Sequence, residues 1–257
     1  MKKIKRILIL VPLVIIVAVL IIYANKWRNN VYYTDFKIKG NYTLTKEEIL
    51  SAANIKSDSA VNIDDLNITF IQDRISRHPE IKKVFVSKNP PSEIIIDIVE
   101  KTPVAIVNSG SELNLVDAEY EIFPFKNFEK LYDLPVINGI KQENFQPGVK
   151  EKDDDLKLAV FIVLNTISKG KYLYNQISEI NMADSEKVII YLNDNSLPLY
   201  LQRYKDRQIS EPEYQKEISE SITILKNFIE KMHSEIKDKN YAYVDLRFSN
   251  QVVVKTK

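Results

Sequence analysis

The chain has 257 residues, 45% hydrophobic and 28% charged, with five glycines and ten prolines, a composition that excludes collagen-like and wholly disordered proteins. It has no cysteine and only two histidines, His78 and His233, which excludes disulfide frameworks and thiol catalysis and leaves little for imidazole triads or metal centres. Lys2, Lys3, Lys5 and Arg6 are four of the 36 basic residues, so the +1 net charge hides a body, residues 25–257, with 32 basic against 35 acidic residues; that sign gives no general footprint for nucleic acid.

Residues 1–6 form a short basic tail, and Ile7 to Ala24 is an uncharged run of 18 residues. As a helix it would be ~27 Å long, close to a bilayer hydrocarbon core, so a transmembrane helix over 7–24 is expected. The basic residues ahead of it place the N-terminus in the cytoplasm and the rest of the chain outside. Tyr23, Trp27, Tyr32 and Tyr33 suit an aromatic belt at the far interface. A cleaved signal peptide fits less well, because the run is long and lacks an A-x-A-like site. A buried core helix would have to be apolar on every face.

The next segment reads strand, helix, helix, strand, strand. Thr45 and Glu48 have the spacing of a capping box, with Ile49, Leu50 and Ala53 on the buried face of the helix they open. A second helix is expected over 64–77, capped by Asp64 or Asp65, burying Leu66, Phe70, Ile71 and Ile75, and stopped by Pro79. Ile81 to Ser87 alternates apolar and polar residues, Glu93 to Glu100 is β-branched, and Asn89-Pro90-Pro91-Ser92 turns the chain between them. The expected product is a small α+β unit over 31–101 with both helices on one face of a three-stranded sheet.

Residues 102–257 read as a β-rich domain with two helices. Leu156, Ala159, Val160, Val163, Leu164 and Ile167 make one apolar helical face, with the acidic run at 153–155 at its start and Gly170 at its end. A later helix is expected from an N-cap at Ser210 with Glu213 completing a capping box, through Tyr214, Ile218, Ile222, Leu225, Ile229 and Ile236. Strands are expected at 105–107, 114–117, 188–192, 197–201, 242–248 and 251–255, the last two pairing about Ser249-Asn250.

No motif carries catalysis: there is no Gly-rich phosphate loop, G-x-S-x-G or H-E-x-x-H. His78 and His233 fit helix C-terminal positions, His78 capping last-turn carbonyls, and the pairs Glu47-Glu48 and Asp64-Asp65 fit helix N-termini. No cofactor is implied and no enzyme is expected.

PPSEIIIDIVEKTPVAIV (residues 90–107) resembles the P-x-x-I-x-I-x-V-x-E-(K/R)-x-P-V-A signature of the FtsQ/DivIB cell-division family, and the unit before it resembles a POTRA domain. LNLVDAEYEIF (113–123), LPVINGI (134–140) and YVDLRFSNQVVVK (243–255) are similar to that family's later segments, in order. Two departures stand out: Tyr120 occupies a position usually held by Gly, and YLNDNSL (191–197) lacks a glycine common there. The resemblance implies a bitopic inner-membrane protein of the divisome, at the division septum, that recruits and links FtsB-like and FtsL-like proteins for septal peptidoglycan synthesis. A POTRA-bearing envelope assembly or translocation factor is the alternative, although no room exists for the long β-barrel that usually follows.

The partner-binding segment this implies is Arg247, Phe248, Ser249, Asn250, Gln251, Val252, Val253, Val254 and Lys255. A terminal strand leaves an open row of backbone donors and acceptors to which a partner strand can add, with Phe248, Val252 and Val254 as candidate contacts and Val253→Pro as the test. The competing reading buries these side chains against the long helix. Asp245 and Arg247 are expected on one strand face, either in a cross-strand ion pair or at the partner surface. A secondary edge at Lys82, Lys83 and Phe85 is either a recruitment surface or a strand kept positive against aggregation.

Overall fold

The computed structural model describes residues 2–28, 32–33, 35–55, 61–62, 67–110, 112–125, 133–141, 145–193, 196–238, 241–248 and 251–257. The chain divides into two compact units, Met1–Glu100 and Lys101–Lys257. Helix α1 (Lys2–Arg28) contains the apolar run, with Pro12 inside it. Its described side chains, residues 12–24 and 26, are all exposed. Among the described residues no helix is long and apolar enough to cross a membrane; the run that begins at Ile7 starts ahead of the first described side chain, Pro12.

The rest of the first unit contains β1 (Tyr32–Tyr33), β2 (Asp35–Lys39), α2 (Lys46–Ala52), β3 (Val61–Asn62), α3 (Ile68–Ser76), β4 (Ile81–Asn89) and β5 (Glu93–Glu100). Strands β2, β5 and β4 form a sheet in that order, β2 parallel and β4 antiparallel to β5. Period two turns Ile94, Ile96 and Ile98 inward, where they pack with Phe36, Ile49, Leu50, Ile71 and Ile75 in one core. Each such side chain contributes roughly 1.5–3 kcal/mol of burial. The pairing of β1 with β3 was not foreseen, because two-residue strands carry no periodic signal.

The Thr45–Glu48 capping box is present, with Glu48 N–H donating to Thr45 Oγ1 and Thr45 N–H donating to Glu48 Oε2. The cap of α3 is a correction. It is Asn67, whose Oδ1 accepts from Phe70 N–H at 3.1 Å, while Asp64, Asp65 and Leu66 lie outside the described residues. Starting the helix there turns Phe70 outward, 50% exposed, with the Arg74 guanidinium 4.0 Å from its ring centre; its expected burial does not occur.

Glu100 ends β5 and organises the turn after β2. Its carboxylate accepts from the backbone N–H groups of Tyr42 (2.9 Å), Thr43 (3.0 Å) and Leu44 (2.9 Å) and from Thr43 Oγ1 (2.7 Å). Gly40 enters that turn at φ +79°, and a Cβ there would lie 2.0 Å from the Ile98 carbonyl oxygen, so no larger residue fits. Burial pushes the Glu100 pKa up, but the four donors outweigh it and hold the group below its ordinary value.

The second unit is built on one nine-stranded sheet. Its strands are β6 (Pro103–Asn108), β7 (Leu113–Asp117), β8 (Ile122–Pro124), β9 (Val136–Asn138), β10 (Ile177–Asn181), β11 (Lys187–Leu192), β12 (Pro198–Gln202), β13 (Tyr241–Asp245) and β14 (Val253–Thr256). The order is β14-β13-β12-β11-β10-β9-β6-β7-β8. Its helices are α4 (Asp154–Lys169), α5 (Lys171–Asn175) and α6 (Pro212–Asp238). Inward residues such as Val188, Ile190, Leu199, Leu201 and Val244 pack with Leu156, Ala159 and Val163 of α4 and Ile218, Ile222 and Leu225 of α6 in a single core. Arg203, just past β12, donates to the Met182 carbonyl at 2.7 Å and pairs with Asp155 in the first turn of α4, pinning helix to sheet.

Three expectations about the helices are corrected. The capping box at Ser210 and Glu213 does not form: α6 begins at Pro212, whose missing N–H suits the first helical position, and Glu211 accepts from Gln208 N–H at 3.0 Å. Ile167 is 41% exposed, because the buried stripe of α4 runs through Ile162, Val163 and Thr166 instead. Among the described residues of this unit there are three helices rather than two, α5 being a five-residue turn that follows Gly170. Ile236 lies in α6, but its side chain is outside those described.

The departure at Tyr120 falls where the backbone is left-handed, with φ +64°. A non-glycine residue there carries strain of ~1–2 kcal/mol.

Two outcomes follow. Glu100→Gln should lower stability in denaturant unfolding by roughly 1–3 kcal/mol, the cost of weakening charge-assisted bonds to partly buried donors. A depressed carboxylate pKa adds stability above the unfolded value of about 4.3 and loses it as pH falls through the folded value, so acid titration of the variant should be flatter than that of the wild type. Tyr120→Gly and Tyr120→Ala both remove the ring, but only glycine relieves the left-handed strain, so the glycine variant should be the more stable by ~1 kcal/mol.

Candidate functional site

The C-terminal end of the nine-stranded sheet is a β-hairpin. Strand β13 pairs antiparallel with β14 in the register Val244↔Val254, Asp245↔Val253 and Tyr243↔Lys255. It pairs parallel with β12 on its other side, Leu199↔Val244 and Tyr200↔Asp245. Both strands are shorter than expected, β13 stopping at Asp245 and β14 starting at Val253; Ser249 and Asn250 lie outside the described residues.

Register decides which backbone groups of β14 are open. Leu246 N–H donates to the Tyr200 carbonyl, so by alternation Leu246 and Val244 direct their polar groups at β12, and Asp245 and Tyr243 direct theirs at β14. Val253 and Lys255, opposite Asp245 and Tyr243, therefore face β13 with their N–H groups. Val254, opposite Val244, directs its N–H and C=O away from the sheet. The Val253→Pro test required that the Val253 N–H face outward; it faces β13, and the outward donor is Val254.

The side chains divide in the same way. Phe248 is 50% exposed, Val253 40% and Val254 37%, while Val252 packs against the core; of the three candidate contacts, Phe248 and Val254 are open and Val252 is half-buried. Gln251 and Lys255 are exposed. Beside the hairpin, Leu246–Phe248, Gln202 and the α6 residues Ser221 and Ile224 line a groove of about 640 Å³.

Arg247 pairs with Asp245 within its own chain segment rather than across strands. Its Nη2 lies 2.6 Å from Asp245 Oδ2, and its Nε and backbone N–H both donate to Oδ1, at 2.9 and 3.1 Å. Because β13 has already ended, the residue folds back over Asp245, which is buried. Burial pushes the Asp245 pKa up, but the Arg247 hydrogen bonds and the charges of Arg247 and Lys187 outweigh it and hold the carboxyl below its ordinary value. Tyr200 and Tyr243 stack with ring centres 5.1 Å apart on the same sheet face, Arg247 lies 5.8 Å and Lys187 4.4 Å from the Tyr200 ring, and Lys255 lies 6.0 Å from Tyr243. The signal for this cluster was present as Tyr200 in β12 and the alternate Tyr241 and Tyr243 in β13, but their alignment depends on strand order.

In the first unit, β4 is a sheet edge with Lys82, Lys83 and Phe85 exposed. One of its outward donors is already used, since Val86 N–H donates to Gln72 Oε1 of α3 at 3.3 Å. A strand adding there has to displace that side chain. The His78 Nδ1 accepts from Glu80 N–H at 3.3 Å, just past the end of α3. The side chain of His233 lies outside those described. Among the described residues no group of three or more His, Asp or Glu could hold a metal ion.

Removing Arg247 strands a buried carboxylate, so Arg247→Ala should cost roughly 1–3 kcal/mol in chemical denaturation. The double variant Asp245→Asn, Arg247→Ala should recover part of that loss, and the double-mutant cycle should give a clear coupling energy.

The comparisons with known proteins fit this geometry. Residues 34–101 match the family model for the POTRA domain of FtsQ type, and residues 105–247 match that for the C-terminal part of cell division protein FtsQ/DivIB. The chain is 24% identical over 216 residues to cell division protein FtsQ of Geotalea daltonii, covering 83% of this chain and 71% of that one. It is 24% identical over 232 residues to FtsQ of Rhodothermus marinus, covering 89% and 79%. It is 22% identical over 158 residues to cell division protein DivIB of Clostridium acetobutylicum, covering 61% and 62%. With a POTRA unit followed by the matched β domain, this chain belongs to the FtsQ/DivIB family of cell division proteins.

Proposed function

We propose that the protein is a non-enzymatic, bitopic scaffold of the divisome. The apolar run Ile7 to Ala24 crosses the cytoplasmic membrane once, the basic N-terminal tail stays in the cytoplasm, and both folded units work outside it at the division septum. The β domain links FtsB-like and FtsL-like proteins for septal peptidoglycan synthesis, and the POTRA unit recruits further division proteins through Lys82, Lys83 and Phe85.

The observation that carries this reading is the open edge of β14. The strand ends a nine-stranded sheet, its Val254 backbone groups point away from it, and Phe248, Val253 and Val254 stand exposed beside them. A partner segment adding as a tenth strand gains main-chain hydrogen bonds from Val254 and takes its specificity from alternate side chains, with Arg247, Gln251, Val252 and Lys255 beside them and Ser249 and Asn250 in the connection.

Two proline variants test it in the full chain, with binding to the cognate FtsB-like protein measured by calorimetry. Val254→Pro removes an outward donor only, so the variant should fold and bind roughly tenfold or more weakly, the worth of one lost main-chain bond and its neighbours. Val253→Pro breaks the ladder to β13 and should lower stability as well. A folded Val254→Pro variant that binds at wild-type affinity overturns the edge reading.

A further inference from the structure

We propose that Gln72 is a latch on the POTRA edge, and that it opens to an acidic, extended segment of a recruited protein. The inference rests on the reading that β4 is a recruitment surface, and adds what the edge accepts and what holds it shut. Register identifies the edge groups. Phe85, Ser87 and Asn89 lie opposite Asp97, Ile95 and Glu93 of β5, and the Val86 N–H turns away from β5 to meet Gln72 of α3. By alternation Val84, Val86 and Lys88 direct their N–H and C=O groups to the open side of the strand, while the odd-numbered residues direct theirs at β5. Val86 is the middle one of the three, so a strand pairing along β4 has to take its N–H.

Gln72 already holds that donor. Its Oε1 accepts at 3.3 Å, the long end of the range for a neutral amide. The side-chain amide of a glutamine presents the same carbonyl as a peptide unit, so Gln72 stands in for one residue of the missing neighbour strand. A partner's main-chain carbonyl can take the same N–H and release the Gln72 amide, which is half-buried on α3, to water. At Val86 the exchange is one hydrogen bond for another, while pairing at Val84 and Lys88 adds new ones. The edge is thus satisfied at its centre when empty, and opening it takes a partner long enough to pair beyond Val86.

Charge selects the occupant. Strand β4 contains Lys82, Lys83 and Lys88, all exposed, and the chain has no acidic residue between Glu80 and Glu93. Two copies of this strand side by side would set lysines against lysines, which opposes self-pairing. A segment with carboxylates at alternate positions is attracted instead. Phe85, 61% exposed and between Lys83 and Ser87 on the outer face, offers that segment an apolar contact.

The full chain in phosphatidylcholine nanodiscs is titrated with a fluorescein-labelled peptide of alternating glutamate and valine, as long as β4, and with its lysine–valine counterpart. Binding is read by anisotropy and located by hydrogen exchange. The expected result is slowed exchange over 81–89 with the glutamate peptide alone, and an affinity that falls with added salt. Gln72→Ala should bind it roughly fivefold more tightly, the worth of one neutral hydrogen bond. Gln72→Asn, whose amide is a methylene too short to reach Val86, should behave like Gln72→Ala. Equal affinity of the wild type and both variants, with 81–89 protected, overturns the latch and leaves the recruitment reading standing. No protection of 81–89 in any of the three overturns the acidic occupant, as does a Gln72→Ala chain that dimerises through β4 in sedimentation, which makes a second copy the occupant. The recruitment reading is tested separately in cells: a folded Lys82→Glu, Lys83→Glu variant that reaches the septum normally overturns it, and this inference with it.

Discussion

A β-sheet that does not close on itself has two ends, and each presents a row of backbone donors and acceptors that must be covered, blunted or used. The nine-stranded sheet treats its two ends differently. At the β8 end, Gly148 N–H donates to the Ile122 carbonyl at 2.8 Å, Glu151 N–H donates to the Tyr120 carbonyl at 2.9 Å, and Glu121 and Lys150 form a further bridge, so the chain covers its own edge. Strand β8 is also only three residues long and ends in Pro124. At the other end β14 has no such cover among the described residues. Its Val254 groups point outward, and Phe248, Val253 and Val254 are exposed beside Gln251 and Lys255. A protein that blunts one edge so thoroughly has the means to blunt the other.

An edge used for recognition has to be rigid, because ordering it at the moment of binding costs affinity. The contacts behind β14 supply that rigidity. Asp245 is buried at the end of β13 and holds Arg247 through three hydrogen bonds, and the Tyr200–Tyr243 stack joins β12 to β13 on the same face. On the inner face Val244 and Leu246 are part of the core shared with α4 and α6. The hairpin is thus fastened from both sides up to the residue at which its outward groups begin. The POTRA edge is built differently, since the Gln72 side chain already occupies the Val86 donor, and a partner there competes with a contact of the fold itself.

Much of this was legible in the sequence where a local chemical rule decides the outcome. The Thr45–Glu48 box, the alternating isoleucines of β5, the acidic start of α4 and the Gly170 stop all depend on neighbours within a few residues, and all stand as expected. The failures share a different cause. Strands β8 and β9 have three residues each, too few to show a periodicity, and β9 derives its conformation from pairing with the distant β6 and β10. Strand β10 keeps only Ile177 and Ile180 buried because a bulge between Ile177 and Glu179 breaks its alternation. The choice between Val253 and Val254 as outward donor depends on which residue of β13 faces β12, a tertiary fact that no single strand contains. The cluster around Arg247 was half visible, as the D-L-R-F run, but its buried partner and its aromatic neighbours needed the strand order.

Tyr120, where the resemblance expects glycine, shows how a fold survives such a change. At Tyr120 the turn after β7 keeps its left-handed geometry without glycine, and the strain is offset nearby. Asp117 Oδ1 accepts from the N–H groups of both Glu119 (2.8 Å) and Glu121 (3.0 Å), which fixes the turn on either side of Tyr120. The Tyr120 ring packs against the core, gaining contact that glycine could not make. Since Tyr120 also accepts the Glu151 N–H that helps close the β8 edge, loosening this turn would reopen the end of the sheet that the protein keeps shut. The departure from pattern therefore leaves the asymmetry between the two sheet ends intact, and it is on that asymmetry, more than on any single side chain, that the proposed strand addition at β14 rests.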